Sequence, residues 1–255
     1  MKELISDYER ILAGVKSEHF DLTQDKYSGV FLPVPFEEYW GSQPKVMLVG
    51  RETAGWNTKN GKNTIRRVIK ANERGATKEI VTEAVERYFN HLELSASSRV
   101  VTKTSSRFKQ YYFRLARELD LDPKALVYAN LFAWDYDGRS PIDRSDGELS
   151  EVVRLSNQLL AAQIKQLKPH FIIFAAGYDQ IDPIIRSLFN DHFDGYENVD
   201  PVIPRKLWEF HGGGSVCFRI AHPRATHGHG EYREEVIARV KRYLENALPT
   251  QDAAR

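Results

Sequence analysis

The chain has 255 residues, 42% of them hydrophobic, and a net charge of +1, so it is long enough to bury a sizeable core and is no general polybasic binder. Its single cysteine, Cys217, excludes a disulfide framework and any all-cysteine zinc or iron–sulfur site within one chain. The opening MKELISDYERILAGV is charged and helical in pattern, unlike a signal peptide, and no apolar run approaches the roughly 20 residues that span a bilayer.

A soluble, cytoplasmic protein is expected, with any nucleic-acid site confined to a local patch. In chain order, candidate strands are 45–50 (KVMLVG), 125–130 (ALVYAN), 170–175 (HFIIFA) and 216–221 (VCFRIA). They are nearly continuous apolar runs, the pattern of strands buried on both faces. Segment 57–107 reads as an insertion holding an Asn60-Gly61 turn, two helices and a Ser/Thr/basic loop. Residues 148–167 present Leu149, Val152, Val153, Leu159, Leu160, Ile164 and Leu167 at helical spacing, with Ser145 and Glu148 as a capping box and Pro169 as the stop. Segment 190–215 reads as a loop-rich insertion ending in Gly212-Gly213-Gly214. The last helix carries Val236, Ile237, Val240, Tyr243, Leu244 and Leu248 before Pro249. The alternation predicts one α/β domain, three-layer α/β/α, around a mostly parallel four-stranded sheet.

In open parallel sheets ligands lie beyond the carboxyl ends of the strands. Those ends carry Arg51, Glu52, Ala54 and Trp56 after the first strand, and Asn130, Phe132, Trp134 and Asp135 after the second. Gly177 and Tyr178 follow the third, and His222, Pro223, Arg224, His227 and His229 the last. A carboxylate, a carboxamide and an imidazole are thus expected together with several aromatic rings.

The ordered motifs LVGRET, VYANLFAW, FIIFAAG and IAHPRA resemble those of the uracil-DNA glycosylase superfamily. The resemblance spans roughly residues 44–240 and implies a monofunctional DNA glycosylase without a cofactor or metal. It places Glu52 where the family's acid activates or orients water, and Asn130 where a carboxamide reads the base. It places His222 where an imidazole stabilises the departing base. Trp56 or Phe132 would stack on a base flipped out of the duplex. The family turn Gly-Gln-Asp-Pro-Tyr is here Gly50-Arg51-Glu52-Thr53-Ala54. With Ala54 in place of the tyrosine, the space beside pyrimidine C5 is open, and a bulky C5 substituent is the expected substrate feature. Glucosylated hydroxymethylcytosine of phage DNA is such a base, and its excision would be antiviral defence; uracil or another damaged base is the alternative.

The expected partner is DNA, double-stranded with a flipped base or single-stranded, with no membrane and no obligate protein partner. Candidate backbone contacts are Arg51, Arg224, His227, Lys59, Lys62, Lys103 and Arg107, with Arg66, Arg67, Ser97, Ser98 and Ser105 beside them. Other readings stand next to these. Glu52 also suits a plain ion pair with Arg51, and Asn130 a strand-end role satisfying backbone groups. Asp135 or Asp137 is an alternative acid. His211, His222, His227 and His229 with Glu231 suit a metal-dependent hydrolase, and a catalytically dead nucleic-acid-binding module is the non-enzymatic alternative.

Overall fold

The computed structural model describes residues 1–56, 64–226 and 228–247. Eight α-helices and six strands occur among them, in the order α1 (Lys2–Ala13), α2 (Glu37–Gly41), β1 (Val46–Gly50), α3 (Ile65–Glu73), α4 (Thr77–Phe89), α5 (Arg107–Glu118), β2 (Leu126–Asn130), α6 (Asp146–Leu167), β3 (Phe171–Phe174), α7 (Ile181–His192), β4 (Tyr196–Ile203), β5 (Leu207–Gly212), β6 (Ser215–Ile220) and α8 (Gly230–Ala247). Among the described residues, no helix is long and apolar enough to cross a membrane.

The sheet has six strands in the order β2-β1-β3-β6-β5-β4. Strands β2, β1, β3 and β6 run parallel, while β5 is antiparallel to β6 and β4 to β5. The expected four-stranded sheet is therefore corrected to a six-stranded mixed one. Alternate residues of the parallel strands face opposite cores, as the pleat requires. Met47, Val49, Ile172 and Phe174 join residues of α1, α3, α4, α6 and α7. Val46, Leu48, Phe171 and Ile173 join residues of α5 and α8. Helices thus cover both faces, and residues 46–49 of β1 are 0% exposed. Burying side chains of that kind contributes about 1.5–3 kcal/mol each.

Segment 190–215 was expected as loop and is instead the end of α7 followed by a β-hairpin. Strand β4 hides because it is an exposed edge with Glu197, Asn198, Asp200 and Pro201 along it. Strand β5 carries Glu209 at a buried position, where Arg239 (2.5 Å) and the Tyr243 hydroxyl (2.7 Å) satisfy its carboxylate. Its link to β6 is a two-residue turn: Gly213 (φ 59°) and Gly214 (φ 76°) are both left-handed between paired Gly212 and Ser215. That is the geometry a tight antiparallel hairpin favours.

Helix α6 starts at the expected place, but no side-chain cap forms at Ser145. Glu148 instead accepts from Arg144 (2.9 Å), so the expected capping box is replaced by a buried ion pair. The α6 chain leaves through Lys168 in the left-handed region (φ 48°), just before Pro169. The Asn60-Gly61 turn, Leu248 and Pro249 lie outside the described residues.

Candidate functional site

The site begins where β1 and β2 end side by side, with Gly50 paired to Asn130. A Cβ on residue 50 would lie 2.5 Å from the Asn130 Oδ1 and 3.1 Å from the Phe108 ring, so only a glycine lets that amide cross the strand end. Pairing continues past the strands, with the Leu131 N–H donating to the Gly50 carbonyl (2.9 Å) and the Phe132 N–H to the Arg51 carbonyl (2.8 Å). These bonds fix the backbone that carries Arg51 and Glu52. The Glu52 side chain, 13% exposed, accepts from Arg51 Nε (2.7 Å) and Nη2 (3.2 Å). The neighbour ion pair weighed from the sequence is present.

The loop after Glu52 is held by Asp135, which is wholly buried. One carboxylate oxygen accepts from the Thr53 hydroxyl (2.5 Å) and the backbone N–H groups of Gly55 (2.9 Å) and Trp56 (3.3 Å). The other accepts from the Gly138 N–H (2.9 Å). Asp135 is thus a loop clamp, wholly buried with both oxygens committed to donors of the loop. Asp135→Asn places an NH2 group against at least one of them, with an expected loss of about 1–3 kcal/mol in unfolding free energy. A denaturant titration checks this; a loss near zero would show that the clamp carries no load.

Clamping fixes Trp56, whose ring stands edge-on to Phe31 (4.9 Å between centroids) and under the Arg87 guanidinium (5.2 Å). Ala54 is exposed and presents a single methyl group. Asn130 is 5% exposed, and among the described residues neither its Oδ1 nor its Nδ2 has a hydrogen-bond partner, nor does the buried Trp56 indole N–H. Buried polar atoms are nearly always satisfied, so this carboxamide keeps an adjacent donor and acceptor available to a ligand or a water. Tyr128, two residues earlier on β2, packs against Phe108 (4.8 Å) and Phe31 (4.9 Å). Burial pushes its hydroxyl up to about 12, opposed by the Asn130 side chain, which lies close enough to favour the phenolate without completing a hydrogen bond, and reinforced by the Glu52 charge. Both groups therefore act on one phenol.

His222 follows β6. Its Nδ1 accepts the Arg224 backbone N–H (3.1 Å), so a neutral ring carries its proton on Nε2. Phe108 lies nearly parallel to the imidazole at 6.3 Å, which joins His222 to the ring cluster at that strand end. Burial first, then the charges of Arg51, Arg224 and Arg233, hold the imidazole down to about 4. At neutral pH it is an uncharged donor. Arg51 pairs with Glu52 and its charge reaches His222, while Phe108 lies beside the Gly50 end of β1 and against His222.

Other sequence candidates fall elsewhere. Phe132 and Trp134 are 0% exposed in the core, so Phe132 is corrected from a stacking platform to a core residue. Rings that sequence reading missed stand at this strand end instead: Phe108 beside Gly50, and Tyr128, which packs between Phe108 and Phe31. Arg67 pairs with Glu83 (3.0 Å) and Arg66 with Asp25 (3.8 Å), which makes them supports of the segment. Lys103 is exposed in the loop before α5, and Arg107 begins that helix. Lys59, Lys62 and His227 lie outside the described residues. His211 pairs with Val216 at the start of β6, whereas His222 follows its end, so the histidines do not form a single cluster. Among the described residues, no group of three or more His, Cys, Asp and Glu side chains is arranged to hold a metal ion.

Compared with protein-family models and with curated proteins, the sequence matches none.

Proposed function

We propose that the chain is a monofunctional DNA glycosylase of the uracil-DNA glycosylase type, hydrolysing the N-glycosidic bond of a flipped-out modified pyrimidine. The observation that carries this reading is the buried Asn130 amide, without a hydrogen-bond partner among the described residues, set over Gly50 beside Phe108, the ring that also lies against His222. An adjacent donor and acceptor at a buried strand end suit the edge of a pyrimidine. Breaking the C1′–N bond develops positive charge on the sugar and negative charge on the base. Glu52 takes a proton from the attacking water and faces the cationic sugar. His222 donates Nε2–H to the base oxygen where negative charge gathers, and an uncharged donor does this without losing its own proton. The products are the free base and an abasic site.

For the base itself, the small exposed Ala54 leaves room beside C5, which favours a bulky substituent such as that of glucosylated hydroxymethylcytosine. Abasic sites in such DNA would block phage replication and spare host DNA, an antiviral activity. Purified protein is incubated with glucosylated phage DNA, uracil-containing DNA and unmodified DNA, and released bases are identified by mass spectrometry. Release of the glucosylated base alone is the expected result. Release of uracil alone would keep the chemistry and overturn the defence reading. Release of no base from any of the three would remove the glycosylase reading.

A further inference from the structure

Beside His222 lies a second, separate feature, a polar cleft of about 280 Å³ between α5, the loop after β6, and α8. Four arginines line it, Arg107 and Arg114 from α5, Arg224 from the loop and Arg233 from α8, with Gln110 and Tyr111 between them and no carboxylate among the described lining residues. Arg114 is neutralised by Glu234 (2.5 Å). Arg233 donates to the Ala225 carbonyl (3.3 Å), which ties α8 to the loop. Arg107 bonds Gln110 (3.3 Å), and both Arg107 and Arg224 are exposed and form no ion pair among the described residues.

Such a cluster is unfavourable without an anion. Arg107 and Lys109 also occupy the first turn of α5, which holds no acidic residue. That end of a helix disfavours positive charge by about 0.3–1 kcal/mol per group. Uncompensated charges from three elements, converging on one small polar space, fit a phosphate group. The connection to the site is covalent and short: Arg224 is two residues from His222, and its backbone N–H holds the imidazole.

We propose that this arginine cleft holds a backbone phosphate of the DNA strand that carries the excised base, seating that strand against the His222 side of the site. The inference rests on the reading that the chain acts on DNA. It differs from a general basic ridge in naming one place, built by Arg107, Arg224 and Arg233, where a phosphate is held.

The test is binding, independent of base release. An end-labelled single-stranded oligonucleotide of ordinary bases is titrated by fluorescence anisotropy over a range of salt. The wild type is compared with the R107Q/R224Q double variant, with R107K/R224K, and with Lys78→Gln, an exposed cation on α4. Loss of one phosphate contact is expected to make the salt slope shallower by about 0.7 and to weaken binding about tenfold near 0.1 M salt. The lysine pair should restore much of the slope, and Lys78→Gln should leave it unchanged. Inorganic phosphate is added as a competitor. Competition confined to the wild type supports the cleft. A phosphate effect in the wild type, with oligonucleotide binding equal in both proteins, would mark a free-anion site and overturn the DNA assignment. A folded double variant with the wild-type slope would also overturn it. Base release with an unchanged slope removes the cleft and keeps the glycosylase; a changed slope with no base released from any DNA keeps the cleft and removes the glycosylase.

Discussion

Glu52→Gln is expected to slow base release by about 10³-fold while leaving DNA affinity within about twofold, because the variant keeps the size of the side chain and removes its charge and basicity. The Arg51–Glu52 pair makes a control necessary. If Glu52 serves only to balance Arg51, then Arg51→Ala should repair most of the defect of Glu52→Gln in the double variant. If Glu52 acts on water and the sugar cation, the double variant stays as slow as Glu52→Gln alone. Single-turnover rates, with affinity measured on the same DNA, separate the two. A Glu52→Gln protein that excises at the parental rate would remove Glu52 from the chemistry.

His222→Ala is expected to slow release by about 10²–10³, the usual effect of losing one donor to a developing anion. The imidazole also sets a pH signature. Its folded value, about 4, lies below the ordinary 6.5, so between those values the unfolded chain binds the extra proton. The sign follows: the contribution of His222 to stability is present above the unfolded value and is lost as pH falls through the folded one. Protonation would also break the bond that Nδ1 accepts from Arg224 and add a charge among Arg51, Arg224 and Arg233. Release by the wild type should therefore show no His222 limb between about pH 8 and 5 and fall through about 4. Single-turnover rates, with circular dichroism confirming the fold at each pH, check this. A limb near the ordinary histidine value that vanishes in His222→Ala would mean that the charged form is the working one. Equal rates for the variant and the wild type would discard the role.

Much of the frame was legible before the structure. The runs at 45–50, 125–130, 170–175 and 216–221 became β1, β2, β3 and β6 within a residue or two, because strands buried on both faces must be apolar throughout. The hairpin β4–β5 was not legible. An edge strand is allowed to be polar, and the buried Glu209 is tolerable only because Arg239 and Tyr243 arrive from a helix some 30 residues later. Asp135 shows the same limit, since a wholly buried carboxylate reads in sequence like a candidate acid until its four donors are known.

By itself, then, the sequence determined the α/β alternation, the parallel part of the sheet and the residue types at the strand ends, all of which follow from local periodicity. Tertiary structure decided which of those residues share a neighbourhood. Phe132 and Trp134 turned into the core, while Phe108, from a helix 22 residues before Asn130, came to lie beside the Gly50 end of β1 and against His222. It also gathered the arginines of α5, the His222 loop and α8 around one cleft. The physical reason is distance along the chain. Periodicity reports which face of an element is apolar, but which side chains meet across the sheet depends on strand order and register, and those are set by the packing of the whole core.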